Sequence, residues 1–348
     1  MEREELLLRR MHGQHLLSPV SARQVCADLC GIQAQFLRNA IHALRLRSDQ
    51  PDVTDLVKTW TLRGTVHLIP QADLPLYLRP CGGAEAVTSS GWYGWMQGRG
   101  EANPPEREVA LARLLLEDIR QGITERDALR AALRSQGMTE QEEARAFHPW
   151  GGLVAELASV GALAFRVAMK DAHRPDETKA YRLLPPFVPM AEDAARLELL
   201  RRYFAHYGPA TLRDAAYFFH WTQKDIRELM KQLPVEQIIC EGKTYFGLPG
   251  TAEGTMPEVV LLAGFDPLMM GYRKEENPFL PAEHLRGIVN LAGIVHPAIL
   301  LRGRVVGRWK EKDGRVELTA FENLDAADRR RIGQECERLL NVRRLTWS

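Results

Sequence analysis

No run of about twenty apolar residues, the length a membrane-spanning helix needs, occurs in these 348 residues. The longest apolar stretch, Val259 to Met270, is broken by Asp266 and Pro267. Five cysteines (Cys26, Cys30, Cys81, Cys240 and Cys336) are too few and too scattered for a disulfide framework. The first fifteen residues alternate acidic and basic groups and lack the apolar centre of a signal peptide, so the cytoplasm is the simplest address. Also missing are a GxxxxGK[ST] loop, a GxGxxG after a strand, an HExxH, paired CxxC motifs and a Gly-x-Ser-x-Gly elbow. These absences set aside the familiar nucleotide-dependent, zinc and hydrolase-elbow enzymes, and neither a cofactor nor a metal is expected. Cys26 and Cys30 lie four apart on one helix face, but no further ligands stand nearby, and they read as buried thiols.

Charge of one sign is lacking too. Forty-six basic residues against forty-five acidic give a net charge of +1, so any nucleic-acid surface must be local. Lysine is scarce, nine against thirty-seven arginines. Arginine's planar fork grips phosphate bidentately where lysine is a point charge, although a coding bias gives the same ratio. The 45% hydrophobic content is that of a globular chain, and the length suggests two or three packed units.

What is present is a repeated order of elements. Residues 123–184 begin with ITERDALRAAL, in which Thr124 is placed to cap a helix. PWGGLVAELASVG follows as a second helix, from Pro149 to Gly161, and then two extended pieces, ALAFRVAMK and KAYRLLP. From about 191 to 249 the order recurs, with AEDAARLELLRRYFAHYG, ATLRDAAYFFHW and TQKDIRELMKQL as helices, and VEQIIC and KTYFGL as strands around Glu241-Gly242. A looser copy opens the chain, with helices in SARQVCADLC and AQFLRNAIHALRLR and strands in VKTWTLRGTVHLI. Helix-turn-helix plus hairpin is the winged-helix pattern. The segment beyond Pro257 reads as β-rich, with turns at Arg302-Gly303 and Asp313-Gly314, and is covered by a final amphipathic helix. Residues 91–105, carrying Trp92, Tyr93 and Trp95, read as a Gly/Pro-punctuated connector whose aromatics either pin it to the core or stack on an unpaired base.

The segment Gly31-Ile32-Gln33-Ala34-Gln35-Phe36 places two glutamines around one alanine, just after a helix that Gly31 can end. In a regular helix i and i+2 point about 200° apart, but at a helix start preceded by a turn the two amides can converge. Each offers two donors and one acceptor, enough to orient a water. On an ordinary surface turn the same pair would carry nothing.

GIQAQFLRNAIHALRLR, followed by LVKTWTLRGTVHLIP, resembles the winged-helix DNA glycosylases of the AlkZ and YcaQ type, a bacterial family that repairs alkylated and cross-linked DNA. The resemblance continues through LLRRYFAHYGPATLRDAAYFFHW, LLAGFDPLMMGYR and HPAILLRGRVVGRW, from about residue 5 to 340. Gln33-Ala34-Gln35 matches the family's catalytic motif and places the chain nearer the AlkZ branch. The fold this implies is α+β: three tandem winged-helix units with a β-rich C-terminal part. The expected boundaries are 1–90 with the catalytic motif, 91–186, 187–256, and 257–348 with the terminal helix.

The implied activity is that of a monofunctional DNA glycosylase acting on cationic alkylated purines, N7 or N3 adducts and possible interstrand cross-links, in duplex DNA. It would act by base excision, as a monomer near the nucleoid, with no membrane or nucleotide cofactor, and leave an abasic site. Gln33 and Gln35 are the expected catalytic pair. Asp266 in GFDPLMMG is a rival, since a carboxylate can accept a proton from water, although Asp before Pro commonly starts a turn. His67 is a further candidate for contact with the nucleotide, or else a core histidine. Arg38, Arg63, Arg302, Arg304 and Arg308 are candidate phosphate ligands, with the hairpin around Gly303 entering a groove. Arg45 and Arg47 read as a solvated face. The alternatives are a non-catalytic winged-helix transcription regulator and a protein-interaction scaffold.

Overall fold

A computed structural model describes the chain apart from residues 50, 62–63, 79–81, 149–150, 172–173, 253 and 341. Helices and strands are mixed, as an α+β fold requires, and they form two compact units. One unit joins Met1–Asp52 to Arg196–Ser348; the other is Val53–Ala195. No helix among the described residues is long and apolar enough to cross a membrane.

The first unit is built on an open five-stranded sheet in the order Arg344–Trp347, Arg315–Ala320, Arg304–Lys312, Ala298–Leu301, Val259–Leu261. All pairings are antiparallel except that of the last strand of the chain with Arg315–Ala320. Period-two alternation sends neighbouring residues to opposite faces. Leu261, Ile299, Val306 and Leu318 meet Ile332, Cys336 and Leu339 of helix Ala326–Leu339. Val260, Leu300 and Val305 turn the other way, onto Leu6, Leu7 and Met11 of helix Arg3–Gly13. Both faces are therefore covered, which explains the apolar runs in these strands.

Helices Leu212–Phe219 and Gln223–Met230 and the hairpin Glu236–Cys240/Lys243–Gly247 follow the helix, helix, strand, strand order read from sequence. Thr211 and Thr222 cap the two helices, each accepting from the third backbone amide beyond it. At the hairpin tip Glu241 and Gly242 both take positive φ (47° and 74°), the backbone a tight two-residue turn requires.

In the second unit four antiparallel strands lie in the order Val66–Pro70, Leu56–Trp60, Leu163–Phe165, Tyr181–Leu183. Helices Pro105–Arg120, Arg126–Ser135, Glu140–Ala146 and Leu153–Ser159 share the core over Leu111, Leu115, Leu129, Leu133 and Leu157. This sheet explains why the unit boundaries differ from the expected ones: the hairpin assigned to 1–90 pairs through Lys58 and Phe165 with a strand assigned to 91–186. Local details differ as well. Helix Arg126–Ser135 starts at Glu125 without a side-chain cap, so Thr124 does not cap it. Pro149 lies outside the described residues, and Gly152, with φ 86°, precedes helix Leu153–Ser159. The expected connector contains helix Gly91–Gly98, started by Ser90 accepting from the Tyr93 amide. Trp92 and Trp95 stack on each other at 4.8 Å, and Trp95 remains half exposed.

Candidate active site and nucleic-acid interface

Helix Ala22–Asp28 ends in a two-bond cap: the Gly31 amide donates to Cys26 O at 2.8 Å and the Cys30 amide to Ala27 O at 3.4 Å. Cys30 and Gly31 are both left-handed (φ 54° and 87°), so the cysteine, not the glycine alone, makes the turn. The chain then runs extended through Ile32–Gln33 and enters helix Leu37–Arg45 at Phe36. In extended backbone i and i+2 share a side. Ile32 and Ala34 are buried in the core, and Gln33 and Gln35 share the other side of the segment, Gln33 buried and Gln35 half-buried. There Gln33 Nε2 donates to Gln35 Oε1 at 3.1 Å. In this orientation Gln33 Oε1 remains as an acceptor and Gln35 Nε2 as a donor, a complementary pair for one water.

What holds this segment is the GFDPLMMG stretch. Phe265 stacks on Phe36 with ring centroids 5.9 Å apart. Asp266 is completely buried and accepts from both terminal nitrogens of Arg47, at 2.7 and 3.0 Å, as well as from the Leu268 amide. This corrects two expectations. Arg47 is not solvated; it is sealed in an ion pair. Asp266 is committed to that pair and to starting helix Pro267–Met270, so its carboxylate is a brace rather than a proton acceptor for water. His42, on helix Leu37–Arg45, is bonded to Leu261 O at 2.7 Å, and burial pushes it down to about 4, so it is a neutral donor. Tyr207 adds a further anchor, its hydroxyl donating to Leu29 O at 2.9 Å.

His67 belongs to the second unit, in strand Val66–Pro70. It is 5% exposed, and its Nδ1 lies 2.9 Å from Thr61 Oγ1 and 3.1 Å from Thr65 O, the setting of a hydrogen-bonded core histidine. Arg63 lies outside the described residues.

The remaining arginines are mostly occupied. Arg302 is shared between Glu258 and Asp328, and these two carboxylates hold its guanidinium firmly protonated. Arg304 is shared between Glu283 and Glu322. Arg308 donates to Gly287 O at 3.4 Å. The Arg302-Gly303 turn packs against the first unit's own body, since a Cβ on Gly303 would meet Met256 Sδ at 3.0 Å. Arg38 is 60% exposed at its side chain, with Glu311 at 3.6 Å.

Sequence reasoning missed two features. Phe36 is 51% exposed beside Gln35, where an aromatic at a helix start reads as core. The other is a cationic group at the opposite hairpin turn. Lys312 and Arg315 flank Asp313-Gly314, Arg344 pairs with Arg315 in register, and Arg343 donates its amide to Gly314 O. All four are exposed, and among the described residues none is paired with a carboxylate. The signal in the sequence was the basic residues on both sides of Asp313-Gly314 together with the late Arg343-Arg344 pair.

Comparison with known proteins identifies the family. The family model described as "DNA glycosylase AlkZ-like" matches residues 26–342. An interstrand DNA cross-link repair glycosylase of Streptomyces sahachiroi is 26% identical over 335 residues, 88% of this chain and 86% of that protein. The solved structure of Streptomyces sahachiroi DNA glycosylase AlkZ superposes with a TM-score of 0.74 at 24% identity, covering 100% of this chain and 99% of the other. The chain belongs to the AlkZ-like DNA glycosylase family.

Proposed function

We propose that the chain hydrolyses the N-glycosidic bond of purines alkylated at N7 or N3, interstrand cross-links through those atoms included, and leaves an abasic site. The observation that carries this reading is the Gln33–Gln35 hydrogen bond, which joins two neutral amides, Gln33 buried and Gln35 half-buried. Most glycosidases use a pair of carboxylates, one of them to protonate the leaving group. An N7- or N3-alkylated purine is already cationic and departs neutral, so that proton is unnecessary. What remains is to hold a water against C1′ while the sugar develops oxocarbenium character. Gln33 Oε1 accepts a hydrogen bond from that water, and Gln35 Nε2 donates to it or to the sugar. As the water oxygen bonds to C1′ and the C1′–N bond breaks, the electron pair leaves with the neutral base and the water's surplus proton is released to solvent. Such positioning can contribute several kcal/mol of barrier reduction. The same pair is poorly equipped to expel a neutral base. The cross-link activity in the name of the Streptomyces sahachiroi relative supports the extension to cross-links.

Duplex DNA is the partner in this reading, bound through three winged-helix units of which Leu212–Gly247 is the most regular. Phosphates meet Arg38 and the Lys312, Arg315, Arg343 and Arg344 group. Phe36 supplies an apolar surface against the base or sugar beside the reacting centre. Excision assays on otherwise identical duplexes carrying 7-methylguanine or uracil test the reading. Release of 7-methylguanine with uracil left intact is the expected result. Efficient uracil release without 7-methylguanine release would refute it.

A further inference from the structure

In the first unit, outside the glutamine segment, three segments distant in sequence bring metal-ligand atoms together. His15, left-handed at φ 60°, follows helix Arg3–Gly13; Asp28 is the last residue of helix Ala22–Asp28; His206 is the last of helix Glu192–His206. One ligand atom from each lies within 4.8 Å of the others. His15 Nε2 is 2.8 Å from Asp28 Oδ2, and His206 Nε2 is 3.4 Å from Asp28 Oδ1. The side chains are 13%, 13% and 21% exposed, shielded but reachable from solvent.

The hydrogen bonds around them fix the protons. His206 Nδ1 lies 3.0 Å from the Gly13 carbonyl oxygen, which can only accept, so Nδ1 carries the hydrogen. In the neutral ring Nε2 is then a lone pair aimed at a carboxylate oxygen. Two acceptors face each other, and the contact becomes favourable only with a cation between them: a proton or a metal ion. The surroundings match a metal site. A ligating histidine typically gives its second N–H to a backbone carbonyl, as His206 does to Gly13, and a ligating carboxylate is itself hydrogen-bonded, as Asp28 Oδ1 is by Gln24 Nε2 at 2.7 Å. Arg201 and Arg202, the cations close by, are both drawn onto Glu198.

We propose that His15, Asp28 and His206 bind one divalent transition-metal ion of the zinc class, with water completing the coordination. Two imidazoles and one carboxylate suit zinc, cobalt or nickel, whereas calcium and magnesium take oxygen ligands throughout. Coordination uses the Nε2 lone pair of His15, so the proton now donated to Asp28 moves to His15 Nδ1. The ion ties the ends of two helices together five residues before Gln33, and its role is to fix the entry to the glutamine segment.

The test uses the full chain after chelator treatment, titrated with zinc against a chromophoric chelator and with cobalt by visible absorption, with thermal melts in parallel. One equivalent of zinc, a cobalt d–d spectrum and a zinc-dependent rise in Tm are expected. His15→Ala and His206→Ala each weaken zinc binding at least ~10-fold, and His148→Ala leaves it unchanged. Asp28→Asn, which keeps the side-chain volume, weakens it likewise and decides the matter if a histidine variant fails to fold. No saturable one-to-one binding by the wild type, or binding that Asp28→Asn and His206→Ala leave unaltered, would overturn the proposal and leave a proton as the bridging cation.

Discussion

A carboxamide does not titrate, and this separates the glutamine pair from a carboxylate or an imidazole in the same place. Single-turnover excision should therefore be nearly flat with pH, changing less than ~3-fold between about pH 6 and 8, where a base titrating in that range would impose a tenfold slope per unit. A sloping profile would point to a base. Asp266 behaves differently again. Its charge is matched inside the fold by Arg47, so Asp266→Asn leaves a buried guanidinium without its counter-charge and should cost about 3–5 kcal/mol of stability, read by denaturant melts of the first unit. A variant that loses activity without losing stability would restore Asp266 as a reacting group.

At the scale of elements, two buried groups give opposite pH signatures. On helix Leu37–Arg45, burial pushes His42 down to about 4, below its ordinary 6.5. The unfolded chain binds more protons in between, so stability supplied by neutral His42 is complete above about 6.5 and is lost as pH falls towards about 4. In the second unit, burial and the neighbouring Glu108 push Glu156 up to about 8. The folded state holds that proton while the unfolded state releases it, so this site grows less favourable as pH rises from about 4.5 to about 8. Glu156→Gln should accordingly stabilise the protein at pH 8, by an amount on the order of a few kcal/mol that vanishes towards pH 4.5; thermal melts of both proteins across that range check it.

Elements of this size were largely legible beforehand. The helix, helix, strand, strand order from about 191 to 249 was readable, whereas the cap expected at Thr124 was not formed. Glu241-Gly242, Arg302-Gly303 and Asp313-Gly314 each take the two positive φ values their glycines suggested. The convergence of Gln33 and Gln35 followed from their spacing once the backbone between them was extended. The brace behind them was hidden, because Arg47 and Asp266 are 219 positions apart and nothing local marks either as the other's partner. The packed Gly303 turn was hidden for the same reason: Met256 and Leu7, which cover it, are distant in sequence.

Over the whole molecule, a net charge of +1 means that DNA affinity must come from a small cationic group rather than from overall attraction. Replacing Lys312, Arg315 and Arg344 together by alanine should lower affinity for undamaged duplex and reduce the slope of log K against log salt by about two to three, roughly 0.9 per phosphate contact. The Arg302/Arg304 double variant, whose cations are already matched by carboxylates, should change that slope little. An unchanged slope in the first variant would move the DNA path elsewhere.

The most direct test of the account is single-turnover release of 7-methylguanine from duplex DNA by the wild type, Gln33→Ala and Gln35→Ala, with folding checked by thermal melts. Release by the wild type, reduced about 100-fold or more in each variant at unchanged Tm, is the predicted result. Near-wild-type rates in both variants would contradict the assignment of the water to these two amides.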